Sequence, residues 1–114
     1  MAVQKVTTLN FEEFIDTDAP VLLDFYADWC GPCRMLAPEL EALGEENPSL
    51  KIGKINVDEN GALAAKFGIS SIPFVALLRD GQMVASSLGY MKKEQLAAKL
   101  GLGEYCTTIR RTCK

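Results

Sequence analysis

The stretch Val21-Leu22-Leu23-Asp24-Phe25-Tyr26-Ala27 constrains the fold more than any other part of the chain. A strand with one wet face alternates polar and apolar residues. This run does not, so it reads as a central strand covered on both sides. A second run, Leu50 to Val57, has the same character, with β-branched Ile52, Ile55 and Val57. Between the two lies a helical pattern from Arg34 to Glu46, with Met35, Leu36, Leu40 and Leu43 on its apolar stripe and Asn47-Pro48 to end it. Pro38 sits inside that pattern, where it removes a hydrogen bond to residue 34 and predicts a kink. A strand, a helix and a strand in this order imply a right-handed crossover and a parallel pair.

The flanking segments complete an α/β pattern. Val3 to Val6 has the look of a short edge strand. Thr8 or Asn10 is placed to cap a helix over Phe11-Glu12-Glu13-Phe14-Ile15, with Asn10 and Glu13 forming a capping-box variant. Asp58 is placed to cap a short helix from Glu59 to Phe67. Phe74 to Arg79, Asp80-Gly81 and Gln82 to Leu88 read as a hairpin with a two-residue turn. Met91 to Leu100, with Leu96, Ala97 and Leu100 at helical spacing, reads as the last helix. The expected order is β-α-β-α-β-α-β-β-α, a mixed sheet of about five strands with helices on both faces.

Directly after the central strand stands Trp29-Cys30-Gly31-Pro32-Cys33. A Cys-x-x-Cys where a strand hands over to a helix, in a chain without secretory features, points to dithiol redox chemistry. Half of a zinc site is the competing reading, but the chain has no histidine and its other cysteines are Cys106 and Cys113. The N-terminus, Met1-Ala2-Val3-Gln4-Lys5, lacks a basic segment followed by an apolar one, and no run approaches the ~20 apolar residues that cross a bilayer. A cytoplasmic location is therefore expected, where disulfides tend to be catalytic. Residues 1–100 carry nine bases against fourteen acids. An acidic body without a basic stripe argues against nucleic acid as a partner. There is no phosphate-binding loop and no dinucleotide fingerprint, so no bound cofactor is expected beyond a redox-active Cys30–Cys33 disulfide.

Asp24, Trp29-Cys30-Gly31-Pro32-Cys33, Pro38, Lys54-Ile55-Asn56-Val57-Asp58, Ile72-Pro73, Asp80-Gly81 and Gly89 follow one another as they do in thioredoxins. Over roughly residues 3–100 the chain resembles that family. The resemblance implies the thioredoxin fold and protein-disulfide reductase activity, with roles in electron transport and cell redox homeostasis. It implies a thioredoxin reductase as electron donor, either an NADPH-linked flavoprotein or a ferredoxin-linked counterpart. It further implies disulfide-containing proteins as substrates, a monomer, no nucleic acid and no membrane. Phe74 departs from the family, where threonine is usual after the proline. Residues 101–114 form a C-terminal extension with two extra cysteines, beyond a domain spanning 1–100.

Within that frame each site residue has a physical role. Cys30, at the start of the helix, meets free N–H groups and the positive dipole end, which favours a nucleophilic thiolate. Cys33 lies within the first turn and is placed to resolve the mixed disulfide. Asp24 is a carboxyl in a buried strand, easily held protonated and suited to exchange a proton with Cys33. Lys54, on the neighbouring strand, is placed to tune Asp24. Gly31 permits close approach of another backbone, and Pro32 stiffens the loop. By the resemblance, the bond to Pro73 is cis, and Trp29, Gly31, Pro32, Ile72, Pro73, Phe74 and Gly89 form a docking patch beside Cys30. A core role for Trp29 or for Phe74 is the alternative. A disulfide isomerase or oxidant on the same fold, and a binding subunit without redox turnover, are the other functional readings. Cys106 and Cys113, near Arg110 and Arg111, are a candidate regulatory dithiol or a second disulfide. An inert tail is the alternative.

Overall fold

The computed structural model describes residues 2–102. Its sheet has the order β1-β3-β2-β4-β5, built from β1 (Val3–Lys5), β2 (Val21–Tyr26), β3 (Lys51–Asn56), β4 (Phe74–Arg79) and β5 (Gln82–Leu88). The continuously apolar β2 takes the centre, parallel to β3 and antiparallel to β4. The helices are α1 (Phe11–Ile15), α2 (Gly31–Glu46), α3 (Gly61–Lys66) and α4 (Lys93–Leu100). The element order and the mixed, five-stranded sheet are those expected from the sequence.

Alternation along β2 explains its composition. Leu22 packs in one cluster with Leu36, Leu40 and Leu43 of α2 and Leu96 and Leu100 of α4. Leu23 and Phe25 face the other way, into a cluster with Phe11 and Phe14 of α1 and Leu63 of α3. Both faces of the strand are thus dry, and every residue from Val21 to Phe25 is buried. Each fully buried Leu or Phe contributes roughly 1.5–3 kcal/mol relative to exposure. Gly53 of β3 marks the tightest contact on the α1 side. A Cβ there would lie 2.5 Å from Val6 Cγ2 and 2.9 Å from Phe14 Cε2.

Several local expectations are corrected. Asn10 precedes α1, yet its side chain makes no cap bond. Its Oδ1 accepts from Thr7 N at 2.7 Å, closing the turn before the helix. Met35 is 59% exposed. One residue is about 100° around a helix, so the stripe through Leu36, Leu40 and Leu43 leaves Met35 at its edge. β3 ends at Asn56, and α3 begins at Gly61 with Asn60 at its N-cap. Asp58 does not cap it, because Asp58 and Glu59 form a separate turn on Asn56. α4 begins at Lys93 rather than Met91, with Gln95 Oε1 accepting from Lys92 N at 3.3 Å. α2 starts at Gly31, three residues before the expected Arg34, and contains Pro38. The Asp80-Gly81 turn is as expected, with φ of 53° and 79°, the pair of positive values that a type I′ turn requires.

Candidate active site

The site lies where β2 and β3 end and α2 begins. Cys30 is the N-cap of α2, in extended backbone, and Gly31 and Pro32 open the helix. Proline is tolerated there because the first-turn N–H groups have no partner within the helix. Cys30 and Cys33 form a disulfide with Cα atoms 5.2 Å apart. Cys30 Sγ also accepts the Cys33 backbone N–H at 3.2 Å. The N–H group and the helix dipole both aim at the Cys30 sulfur, so both favour negative charge there once the bond is reduced. In this oxidised form both cysteines are buried, packed with Ala27 and flanked by Tyr26, Val57 and Ile72.

Asp24 lies on the face of β2 that α2 covers, in register with Lys54 on one side and Val75 on the other. It is 4% exposed, and its Oδ1 has no hydrogen-bond partner among the described residues. Burial pushes its pKa up to about 7, with the Lys54 charge acting in the opposite direction. Among the described residues no direct ion pair joins the two, and the exposed Lys54 lies over the Tyr26 ring, 5.8 Å from its centroid. Burial also raises the Tyr26 phenol. The Asn56 side chain opposes this, while Asp28, Glu59 and Asp24 add to it.

Trp29 is 70% exposed, which excludes the core reading. Its Nε1 donates to Asp58 Oδ2 at 2.9 Å. Arg34 Nη1 donates to the Asp28 carbonyl at 2.8 Å, on the other flank of the turn. The Ile72–Pro73 bond is cis. Ile72 packs against the cysteine cluster, and Pro73 O accepts from Gly89 N at 2.8 Å, which brings Gly89 beside it. Space above Gly31 is open. Phe74 is half-buried, and its ring meets that of Phe25 with centroids 6.3 Å apart, so it leans into the core.

A groove of ≈ 350 Å³ runs beside Trp29, with Val57, Ala64, Ile69, Ser70 and Ser71 leading to Ile72. None of its lining residues is charged. Val57, Ala64, Ile69, Ser70 and Ser71 as lining residues, and Asp58 as the partner of Trp29, lie outside what the sequence led one to expect. No local pattern marks them, since β3, α3 and the following loop meet only in the fold. A larger hollow of ≈ 970 Å³ shares no residue with the cysteine cluster and is bordered by Glu12, Glu13, Asp16, Asp18 and Asp80. It holds no cysteine. Among the described residues no group of three or more His, Cys, Asp or Glu could hold a metal ion, and no helix is long and apolar enough to cross a membrane.

The family model described as Thioredoxin matches residues 2–101. The chain belongs to the thioredoxin family. It is 47% identical over 100 residues to a thioredoxin of Alicyclobacillus acidocaldarius, covering 87% of this chain and 95% of that one. It is 47% identical over 97 residues to a thioredoxin of Bacillus subtilis, covering 84% and 92%. A thioredoxin of Porphyra purpurea is 44% identical over 102 residues, covering 88% and 95%. With the Cys30–Cys33 disulfide in place, the chain is a thiol–disulfide oxidoreductase of this family. Cys106, Cys113 and the rest of the extension from residue 103 lie outside the described residues.

Proposed function

We propose that the chain is a protein-disulfide reductase in which Cys30 attacks and Cys33 resolves. The observation that carries this reading is the Cys30 sulfur at the N-terminus of α2, accepting the Cys33 N–H at 3.2 Å. The reduced Cys30 thiolate attacks one sulfur of a substrate disulfide and expels the other as a thiolate, leaving a mixed disulfide. Cys33 loses its proton and attacks the Cys30 sulfur. The substrate leaves with both sulfurs reduced, and the Cys30–Cys33 disulfide takes up the two-electron loss. Asp24 is the base for Cys33, on the support of its burial beneath α2 and a pKa near the working pH. Lys54 adjusts Asp24 through its charge, across one step of the β2–β3 ladder.

Substrate docking uses Trp29, Gly31, Pro32, Ile72, Pro73 and Gly89, with Phe74 supporting from below. Among the described residues, no backbone hydrogen bond engages Ser70, Ser71 or Ile72. An extended substrate segment fits this free edge as an added strand, with an uncharged side chain in the groove beside Trp29. Electrons return from a thioredoxin reductase, NADPH-linked or ferredoxin-linked. The chain acts as a cytoplasmic monomer on disulfide-containing proteins, as an electron carrier in cell redox homeostasis, without a bound cofactor. Residues 1–100 are the working domain, the 101–114 extension is anchored to its core through Leu102, and Cys106 and Cys113 of that extension form a regulatory dithiol. Leu102 is buried with Leu43 and Leu50.

The test is trapping. Cys33→Ser should accumulate a mixed disulfide with a model protein substrate through Cys30, detected by mass spectrometry, and lose reductase-coupled turnover. Cys30→Ser should give neither adduct nor turnover. An adduct on Cys33 in the Cys30→Ser variant, with turnover retained, would reverse the assigned roles.

A further inference from the structure

We infer that Asn56 is a positioning residue for Trp29, acting through Asp58. This deepens the docking role proposed for Trp29. Asn56 ends β3 and is 5% exposed, one of few buried polar side chains among the described residues. Its Oδ1 accepts from Asp58 N at 2.9 Å and from Glu59 N at 3.3 Å. Its carbonyl accepts from Glu59 N at 3.2 Å and Asn60 N at 3.0 Å. The same carbonyl accepts from Asn60 Nδ2 at 3.1 Å. One residue therefore gathers the N–H groups of the next turn, which would otherwise point into a region with no strand partner.

The turn presents two carboxylates outward, Glu59 to Lys5 at 3.8 Å and Asp58 to Trp29. Asp58, turned back by Asn56, presents Oδ2 to Trp29 Nε1 at 2.9 Å. The base of the turn is fixed from two further sides. Val57 N donates to Tyr26 O at 2.9 Å, tying it to the end of β2. Asn60 Oδ1 accepts from Thr8 N at 3.0 Å and Thr8 Oγ1 at 3.2 Å, tying it to the N-terminal loop. Among the described residues the Trp29 side chain makes one hydrogen bond. It is 70% exposed, and among the described residues Asp58 is the hydrogen-bond partner of its indole nitrogen. An exposed indole has rotamer freedom that the Asp58 bond removes only if Asp58 is itself held. Asn56 supplies that hold without touching the disulfide.

The chain has one tryptophan, so one indole N–H resonance reports the contact directly. In the oxidised full chain, Asn56→Ala should raise solvent exchange of that N–H about fivefold and shift its resonance toward the position seen in Asp58→Ala. The double variant should match Asp58→Ala, because both changes break one chain of contacts. Asn56→Asp, which keeps an acceptor oxygen for both N–H groups, should restore the native resonance. KM for a protein disulfide should rise about fivefold in Asn56→Ala, while the rate of Cys30 with a small aromatic disulfide stays within twofold. If Asn56→Ala does not fold, Asn56→Ser, with a shorter reach, takes its place in each comparison. An unchanged indole resonance and exchange rate, or additive effects in the double variant, would overturn the inference. The docking reading fails separately, if Trp29→Ala leaves KM unchanged while the indole of Asn56→Ala still shifts.

Discussion

Asp24→Asn isolates the cost of one buried carboxyl. The side chain is 4% exposed, its Oδ1 is unpartnered among the described residues, and its pKa is pushed from 3.8 to about 7. The sign follows from which state holds the proton. Between those two values the folded chain keeps a proton that the unfolded chain has lost. Below 3.8 both states are protonated and the group is neutral in its effect. As pH rises toward 7 the folded state must forgo an ionisation that is favourable in water, and above 7 the full penalty applies. A move of this size corresponds to about 4 kcal/mol at pH 8, of which about 2–3 kcal/mol accrues between pH 5 and 8. That is large against the 5–15 kcal/mol that holds a typical domain folded. Asparagine is nearly the same shape and does not titrate. Urea unfolding of the two oxidised proteins at pH 5, 6.5, 8 and 9 should therefore show the variant gaining on the parent by about 2–3 kcal/mol from pH 5 to 8, at equal slopes. Parallel pH profiles with a constant gap would refute the reasoning. The same variant should slow resolution of the mixed disulfide near neutral pH. Turnover unchanged across pH 6–9 would remove Asp24 from the mechanism.

Other perturbations follow from the packing. Gly53→Ala places a Cβ 2.5 Å from Val6 Cγ2 and should cost about 1–3 kcal/mol in urea unfolding, recovered in part by trimming Val6 to Ala. Leu40→Ala removes a side chain 1% exposed in the α2 cluster and should cost about 2–5 kcal/mol, with the mixed-disulfide chemistry of the remaining folded protein unchanged. Lys54→Gln removes the charge that opposes the rise in the Asp24 pKa, so the pH at which Asp24 titrates, followed by its carboxyl carbon shift, should move upward.

What the sequence disclosed is what is written locally. The unbroken apolar run of β2 announced a strand dry on both faces, and the structure gives it helices on each side. Asp80-Gly81 announced its turn because few residue pairs accept two positive φ values. The cysteine pair was legible because its chemistry depends on spacing within one helical turn. Three kinds of feature were not legible. Asn10 matched a capping pattern, but a competing bond to Thr7 N took its oxygen, and sequence does not rank such competitors. Met35 fitted an apolar stripe whose width depends on what packs against it. The Trp29–Asp58 bond and the groove at Val57, Ala64 and Ile69 join segments distant in sequence, and nothing in any one segment records the others. Asp24 lies between these cases. Its oddity was visible at once, while its face, and an Oδ1 unpartnered among the described residues, required the register with Lys54 and Val75.

The β4–β5 hairpin has two ends with opposite duties. Its open end carries Pro73 and Gly89, joined by one hydrogen bond. Its closed end is the exposed Asp80-Gly81 turn, about 20 Å away along a six-residue strand. A peptide tag, fluorophore or surface tether inserted at that turn would hang from the far side of the sheet, and the catalytic rim would remain open to large protein substrates. The hairpin thus offers a handle for immobilising the enzyme that neither terminus is needed to provide.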